Sequence, residues 1–407
     1  MKTPLDDSRA VSIGDFLGKN ADFSLVLGGP LFQLLRGSRL SDDALGLLRQ
    51  RILFFSLFSW LPLLVLSALE GHLFNGSATV PFARDIDVHI RFLIAMPLLI
   101  VAELVVHQRT RPLVQQFLER KIIQGDAVPR FADAIKSAVR LRNSISAELL
   151  LIAFVYVVGI VVVWRQFFAL QTGTWYATPS AEGTRLSLAG MWYGYISLPF
   201  FQFLLCRWYF RWLIWTRFLW QVSRIELSLV PMHPDRVGGL GFLSSTIYAF
   251  AVLAAAHGVL LAGLLANRIL YLKEALPSFV PEIAVLVFFM LFLCLGPLLV
   301  FAPQLTQARR TGLRDYGTLA ERYVREFEAK WLRGGAPADE QLLGSADIQS
   351  LADLSNSVEV VRTMRAAPFT KDDILRLMAT TLAPIVPLLL TMMPLGELLK
   401  TLFGILF

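Results

Sequence analysis

The chain has 407 residues, 55% of them hydrophobic and 17% charged, against about 25% charged in an ordinary soluble protein. That deficit excludes a conventional water-soluble domain, and the two cysteines, Cys206 and Cys294, both within apolar runs, give no disulfide framework and no CxxC site. The net charge of +7 sits mostly between the apolar runs, so its placement says more than its size.

Residues 1–51 have no apolar core of a signal peptide, and Asp6, Asp7 and Asp15 stand where such a peptide is basic. The expectation is a cytoplasmic N-terminal segment that stays on the chain. Within it, 23–35 is apolar but broken by Gly28, Gly29 and Pro30, which reads as a helix lying flat at the inner interface. Ser41, Asp42 and Asp43 read as the capped start of a helix entering the first span. Apolar runs then follow near 52–73, 88–108, 146–170, 190–212, 243–268, 281–303 and 374–396, each near the roughly 20 residues that cross a bilayer as a helix. The expected fold class is therefore all-α: a polytopic membrane protein with about seven transmembrane helices and cytoplasmic helical hairpins. Pro384, Pro387 and Pro394 leave the last run open between a span, a re-entrant pair, and a span followed by a membrane-lying helix.

Lysine and arginine alternate along the connections. The tail to residue 51 carries seven, 74–87 only Arg84, 109–145 eight, 171–189 only Arg185, 207–236 five and 304–376 eleven. The positive-inside rule then puts the N-terminus and the long connections in the cytoplasm. The 109–145 connection reads as two helices broken at Gly125 and Asp126, and 304–373 as two more broken at 334–337. Pro97, Leu98, Leu99, Ala102, Arg109 and Leu113 recur 200 residues later as Pro297, Leu298, Leu299, Ala302, Arg309 and Leu313. This suggests two parallel three-span units, 52–170 and 243–407, joined by a linking span and elbow within 171–242.

Arg207, Arg211, Arg217 and Arg224 interleave with Trp208, Trp212, Trp215 and Trp220, at spacings of four, six and seven. A voltage sensor needs a regular spacing of three, so the expectation is an interfacial elbow whose arginines reach anionic lipid headgroups. The turn at 231–242 adds Arg236 and the glycines Gly238 and Gly239, whose amides are candidates to meet an anion. A structural turn pairing Asp235 and Arg236 with neighbours is the plainer alternative. Ionisable residues inside spans are costly and mark pathways. Glu103 and His107, one turn apart, Glu148, and above all His257 among Ala254, Ala255, Ala256 and Gly258 are the pathway candidates. A hydrogen-bonded structural histidine competes with that reading of His257. No HExxH, GxSxG, P-loop or dinucleotide fingerprint occurs, so neither metal, cofactor nor enzymatic activity is expected. Region 304–376 has eleven acidic residues against its eleven basic ones, which disfavours nucleic acid as a partner.

The tracts 233–242 (HPDRVGGLGF) and 346–365 (ADIQSLADLSNSVEVVRTMR) resemble tracts of an uncharacterised bacterial multi-pass membrane protein family. The resemblance implies a bacterial inner-membrane location and carries no functional residue. The expected function is a channel or transporter for an ion or small solute, oligomeric in the membrane. Two alternatives stand beside it. One is a scaffold or sensor whose hairpins bind a cytoplasmic partner while the elbow binds anionic lipid. The other, less favoured, is a lipid-modifying enzyme using His233 and Asp235.

Overall fold

The computed structural model describes residues 23–30, 33, 47–74, 80–169, 174–180 and 183–392. Helix α1 is Leu48–Leu69, α2 is Ile86–Glu119, α3 is Ala127–Arg142 and α4 is Ile145–Ala169. A hairpin of β1 (Ala177–Ser180) and β2 (Gly183–Leu186) precedes α5, Leu188–Val222. Then come α6 (Ser245–Leu272), α7 (Val280–Leu295), α8 (Ala302–Phe327), α9 (Ala346–Arg362) and α10 (Lys371–Leu382). Among the described residues six helical stretches are long and apolar enough to cross a membrane, and α3 with α4, bent by 46° between them, makes a seventh if the pair is counted as one span. The six coincide with six of the runs read from the sequence, and α4 coincides with the remaining run, 146–170. The chain is an all-α polytopic membrane protein.

The last run begins as α10 and continues as a 3-10 segment, Ala383–Thr391, which contains Pro384 and Pro387. Pro394 lies outside the described residues, as do the Ser41–Asp43 cap and the acids before it. The stretch 23–29 is not the flat interfacial helix expected. It is a bent strap, and Phe23, Leu25 and Val26 are buried in the bundle. Gly28 and Gly29 have φ of 129° and 89°, which no helix tolerates, and their backbone lies against Arg142 and Glu148.

Proline shapes two spans in the same way. Pro97 in α2 and Pro199 in α5 lack the N–H that would reach the carbonyl four residues back, and their rings crowd it. A wider π turn lies just ahead of each, Arg91–Ala95 and Tyr193–Ser197. The caps match too: Asp85 accepts from the Val88 amide, and Ser187 from that of Gly190. Cap, π turn and proline all repeat at an offset of 102, a likeness between α2 and α5 that the sequence comparison at offset 200 passes over. The two π turns face each other through Phe92, 6.3 Å from Tyr193 and 6.2 Å from Phe201.

Close helix packing rests on glycine, since lipid offers no hydrophobic drive for helices to associate. A Cβ on Gly258 of α6 would stand 2.1 Å from the Thr381 carbonyl oxygen of α10. On Gly263 it would crowd Ile90 of α2 at 3.1 Å. The small-residue face expected around His257 is thus where α6 meets its neighbours. One continuous core joins Phe23 to Leu377 across both proposed three-span units.

Candidate functional site

Helical phase brings the ionisable residues of four helices together. On α5, Arg207 and Arg211 are one turn apart on a face shared with Trp208, Trp215 and Phe218, all buried. Arg217 falls about 100° away around the same helix at about 100° per residue, Arg224 lies just past its end at Val222, and both are exposed. The elbow reading therefore needs correction for half of its arginines. Arg224 stacks over Trp220 at 5.4 Å, as an interfacial residue does. Arg207 and Arg211 do not reach the lipid surface; Arg211 is 3% exposed. Sequence proximity grouped the four, whereas orientation separates them.

Glu103 of α2 is the hub, 5% exposed. It accepts from Arg51 of α1, lies 2.7 Å from Nη2 of Arg211 and 3.7 Å from Nη1 of Arg207. Nε of Arg207 is 3.5 Å from Glu148 of α4. Arg211 also lies over the Trp208 ring at 4.9 Å, and the Trp208 indole donates to the Leu99 carbonyl at 3.0 Å. Three guanidiniums thus share two carboxylates inside the bundle. Such charges are tolerated away from water only when paired. Nε and Nη1 of Arg51, a residue 2% exposed, have no partner among the described residues.

Arg207 separates two narrow cavities, each about large enough for one water. One is lined by Arg51, Phe55, Leu99, Glu103, Arg207 and Trp208. The other is lined by Gly28, Arg142, Glu148, Arg207 and Arg211. The strap closes over this second cavity. The Ser24 carbonyl accepts from Nη1 of Arg142 at 2.6 Å, Ser24 Oγ meets Nδ1 of His107 at 2.9 Å, and the Gly29 amide donates to Asn143 Oδ1 at 3.1 Å. Glu103, His107 and Glu148 therefore belong to one neighbourhood.

His257 stands apart. Its Nδ1 is 2.7 Å from the Leu253 carbonyl oxygen and its Nε2 is 2.7 Å from the Tyr209 hydroxyl. Among the described residues no hydrogen bond or ion pair joins it to Glu103. Both ring nitrogens are satisfied, which is the geometry of a structural histidine.

The 231–242 turn folds around its own aspartate. The Asp235 carboxylate accepts from the amides of Val237 at 2.9 Å, Gly239 at 3.2 Å and Gly241 at 2.8 Å. The Gly239 amide, expected to be open to an anion, is thus already engaged. Burial alone would raise the Asp235 carboxyl, but these three amides and His233 outweigh it and hold it below its ordinary value. Arg236 has φ of 57° and its side chain is exposed; its carbonyl accepts from the Arg365 amide at 2.7 Å. The Arg365 guanidinium donates to the Asp235 carbonyl at 2.9 Å. Arg365 thereby ties the 346–365 tract to the 233–242 tract, a link that their separation in sequence hides.

At the opposite end of the bundle, Asp85 accepts from the Trp175 indole at 2.8 Å and from Asn267 Nδ2 at 2.7 Å. This anchor holds the β-hairpin and α6 to α2. Only the capping position of Asp85 marked it in the sequence. No group of metal-ligating side chains occurs among the described residues. No protein-family model, characterised protein or solved structure matches the chain.

Proposed function

We propose that this protein is a channel or transporter carrying a small ion or solute across the bacterial inner membrane, with its N-terminus in the cytoplasm and several copies assembled together. The observation that carries this reading is the buried Arg51–Glu103–Arg207–Arg211–Glu148 cluster, with a narrow cavity on either side of Arg207. Charged side chains lining a constricted interior route are how membrane pores select ions. The lysine and arginine distribution puts the strap and Arg142 on the cytoplasmic side, so the strap stoppers the inner mouth. Purified protein in liposomes, patched with and without membrane tension, tests this directly. Discrete openings, or saturable flux into the vesicles, are expected. Silence in both assays with confirmed insertion would overturn the reading.

A scaffold or sensor is the second reading, favoured by one observation. The α8–α9 hairpin is largely exposed and self-braced. Lys330 and Trp331 donate to Asp347 at 2.8 and 2.9 Å, and the Tyr323 hydroxyl donates to the Asp347 carbonyl at 3.0 Å. Leu319, Val324, Leu342, Leu343 and Ile348 are exposed along it. In this reading the hairpin captures a cytoplasmic protein while Arg217, Arg224 and Arg236 hold anionic headgroups. Removing 322–348 leaves the Arg365 link in place and is expected to abolish capture with the spans intact.

A further inference from the structure

We propose that the cavity between Arg51, Glu103, Arg207 and Trp208 binds one halide-sized monovalent anion. Three observations point to it independently. First, among the described residues Arg51, Arg207 and Arg211 form ion pairs only with Glu103 and Glu148, three guanidiniums against two carboxylates, so this set carries one positive charge in excess. Arg142, near the second cavity, adds to that excess. An uncompensated charge held away from water is far costlier than a paired one. Second, Nε and Nη1 of Arg51 are buried donors with no acceptor among the described residues, and this side chain lines the cavity. Buried donors left open in a folded protein mark a missing water or ion. Third, the remaining walls include Phe55, Leu99, Ile100 and Leu204. They offer no further charge to a hydrated or multivalent ion and suit a small, weakly hydrated one. A water would satisfy the two donors but leave the charge excess, whereas a halide answers both.

Glu103 then has a second role. Its carboxylate shares Arg51 and Arg207 with the anion, so the two compete for the same donors and the anion is held loosely enough to leave. Binding that permits exit is what conduction requires. As an identification of the carried ion, this rests on the transport reading above; as a binding site, it stands on the three observations alone.

The test uses the full chain purified in bromide. Anomalous diffraction is expected to place one bromide between Arg51 and Arg207. In parallel, replacing gluconate by chloride at constant ionic strength is expected to raise Tm by about 2 °C. Arg51→Lys keeps the charge beside Glu103 and removes both open donors, and is expected to abolish the chloride increment. Glu103→Gln removes the competitor and is expected to enlarge it. Should either variant fail to fold, the wild-type bromide map still decides. Water alone in the cavity, with no chloride effect on Tm, overturns the proposal. Bromide at the site without any flux in liposomes would sustain the site and sink the transport reading. Anion flux through a protein whose cavity holds no bromide would do the reverse.

Discussion

Glu103 is the residue on which the interior charge balance turns. Among the described residues, removing it leaves Arg51 and Arg211 without an ion-pair partner and Arg207 with Glu148 alone. Glu103→Gln is expected to cost about 3–5 kcal/mol, the penalty for breaking a buried ion pair, measurable as lost thermal stability in detergent. Exposed Arg217→Ala is expected to stay within about 0.5 kcal/mol of wild type, as surface substitutions do. Equal effects of the two would contradict the phase argument that turns Arg211 inward to Glu103 and Arg217 outward. His257 and Tyr209 are expected to couple: His257→Phe strands the Tyr209 hydroxyl and costs about 1–3 kcal/mol, of which Tyr209→Phe should restore part. A double-mutant cycle with no coupling, or a change of ion selectivity at normal stability, would return His257 to the pathway. Asp235 adds a pH dependence. A carboxylate held below its usual value stabilises the fold above the unfolded-state pKa of about 4, and that contribution is lost as pH falls through the folded value. Protection factors for amide exchange at Val237, Gly239 and Gly241 should fall on acidification below about pH 4, and Asp235→Asn should lower them at neutral pH.

At the scale of elements, glycine and proline decide how the helices approach and bend. The 2.1 Å approach of a Gly258 Cβ to the Thr381 carbonyl oxygen leaves no side chain free to move aside. Gly258→Val must push α10 away from α6, and a loss of about 3 kcal/mol or more is expected, in the range of severe overpacking. Full stability of that variant would show that α10 does not pack there. The π turns of α2 and α5 belong to the same scale. Each absorbs a proline within a span, and each turns its aromatic residues toward the other.

For the whole molecule, the strap matters most. It crosses from the N-terminal segment into the bundle and fastens on α2 and α3, and on the residue that follows α3, through Ser24 and Gly29. If it stoppers the mouth, removing residues 1–30 should raise liposome flux several-fold at unchanged insertion. A fall in flux would mean that the strap builds the route rather than closing it. The continuous core from Phe23 to Leu377 also means that the two proposed three-span units lean on each other, so neither is expected to insert stably alone.

Hydropathy and charge distribution by themselves determined the seven apolar runs, where each helix begins to within a few residues, and the helical breaks at 125–126 and 334–337. These are one-dimensional properties: a bilayer thickness, a helical rise and a breaker residue are read along the chain. Glu103, His107 and Glu148 were legible as costly residues, because a charge in an apolar run is conspicuous wherever the helix later packs. Arg51 was not, since it stands at the edge of a run and reads as an ordinary flanking cation. Tertiary structure alone decided that Arg207 and Arg211 turn inward while Arg217 and Arg224 turn outward, and that the glycine-broken stretch 23–29 enters the bundle. It also closed the Gly239 amide onto Asp235 and joined Arg365 to the 231–242 turn. Each of these depends on which helix face meets which neighbour, and a charge becomes part of a site only when its counter-charge arrives from another element.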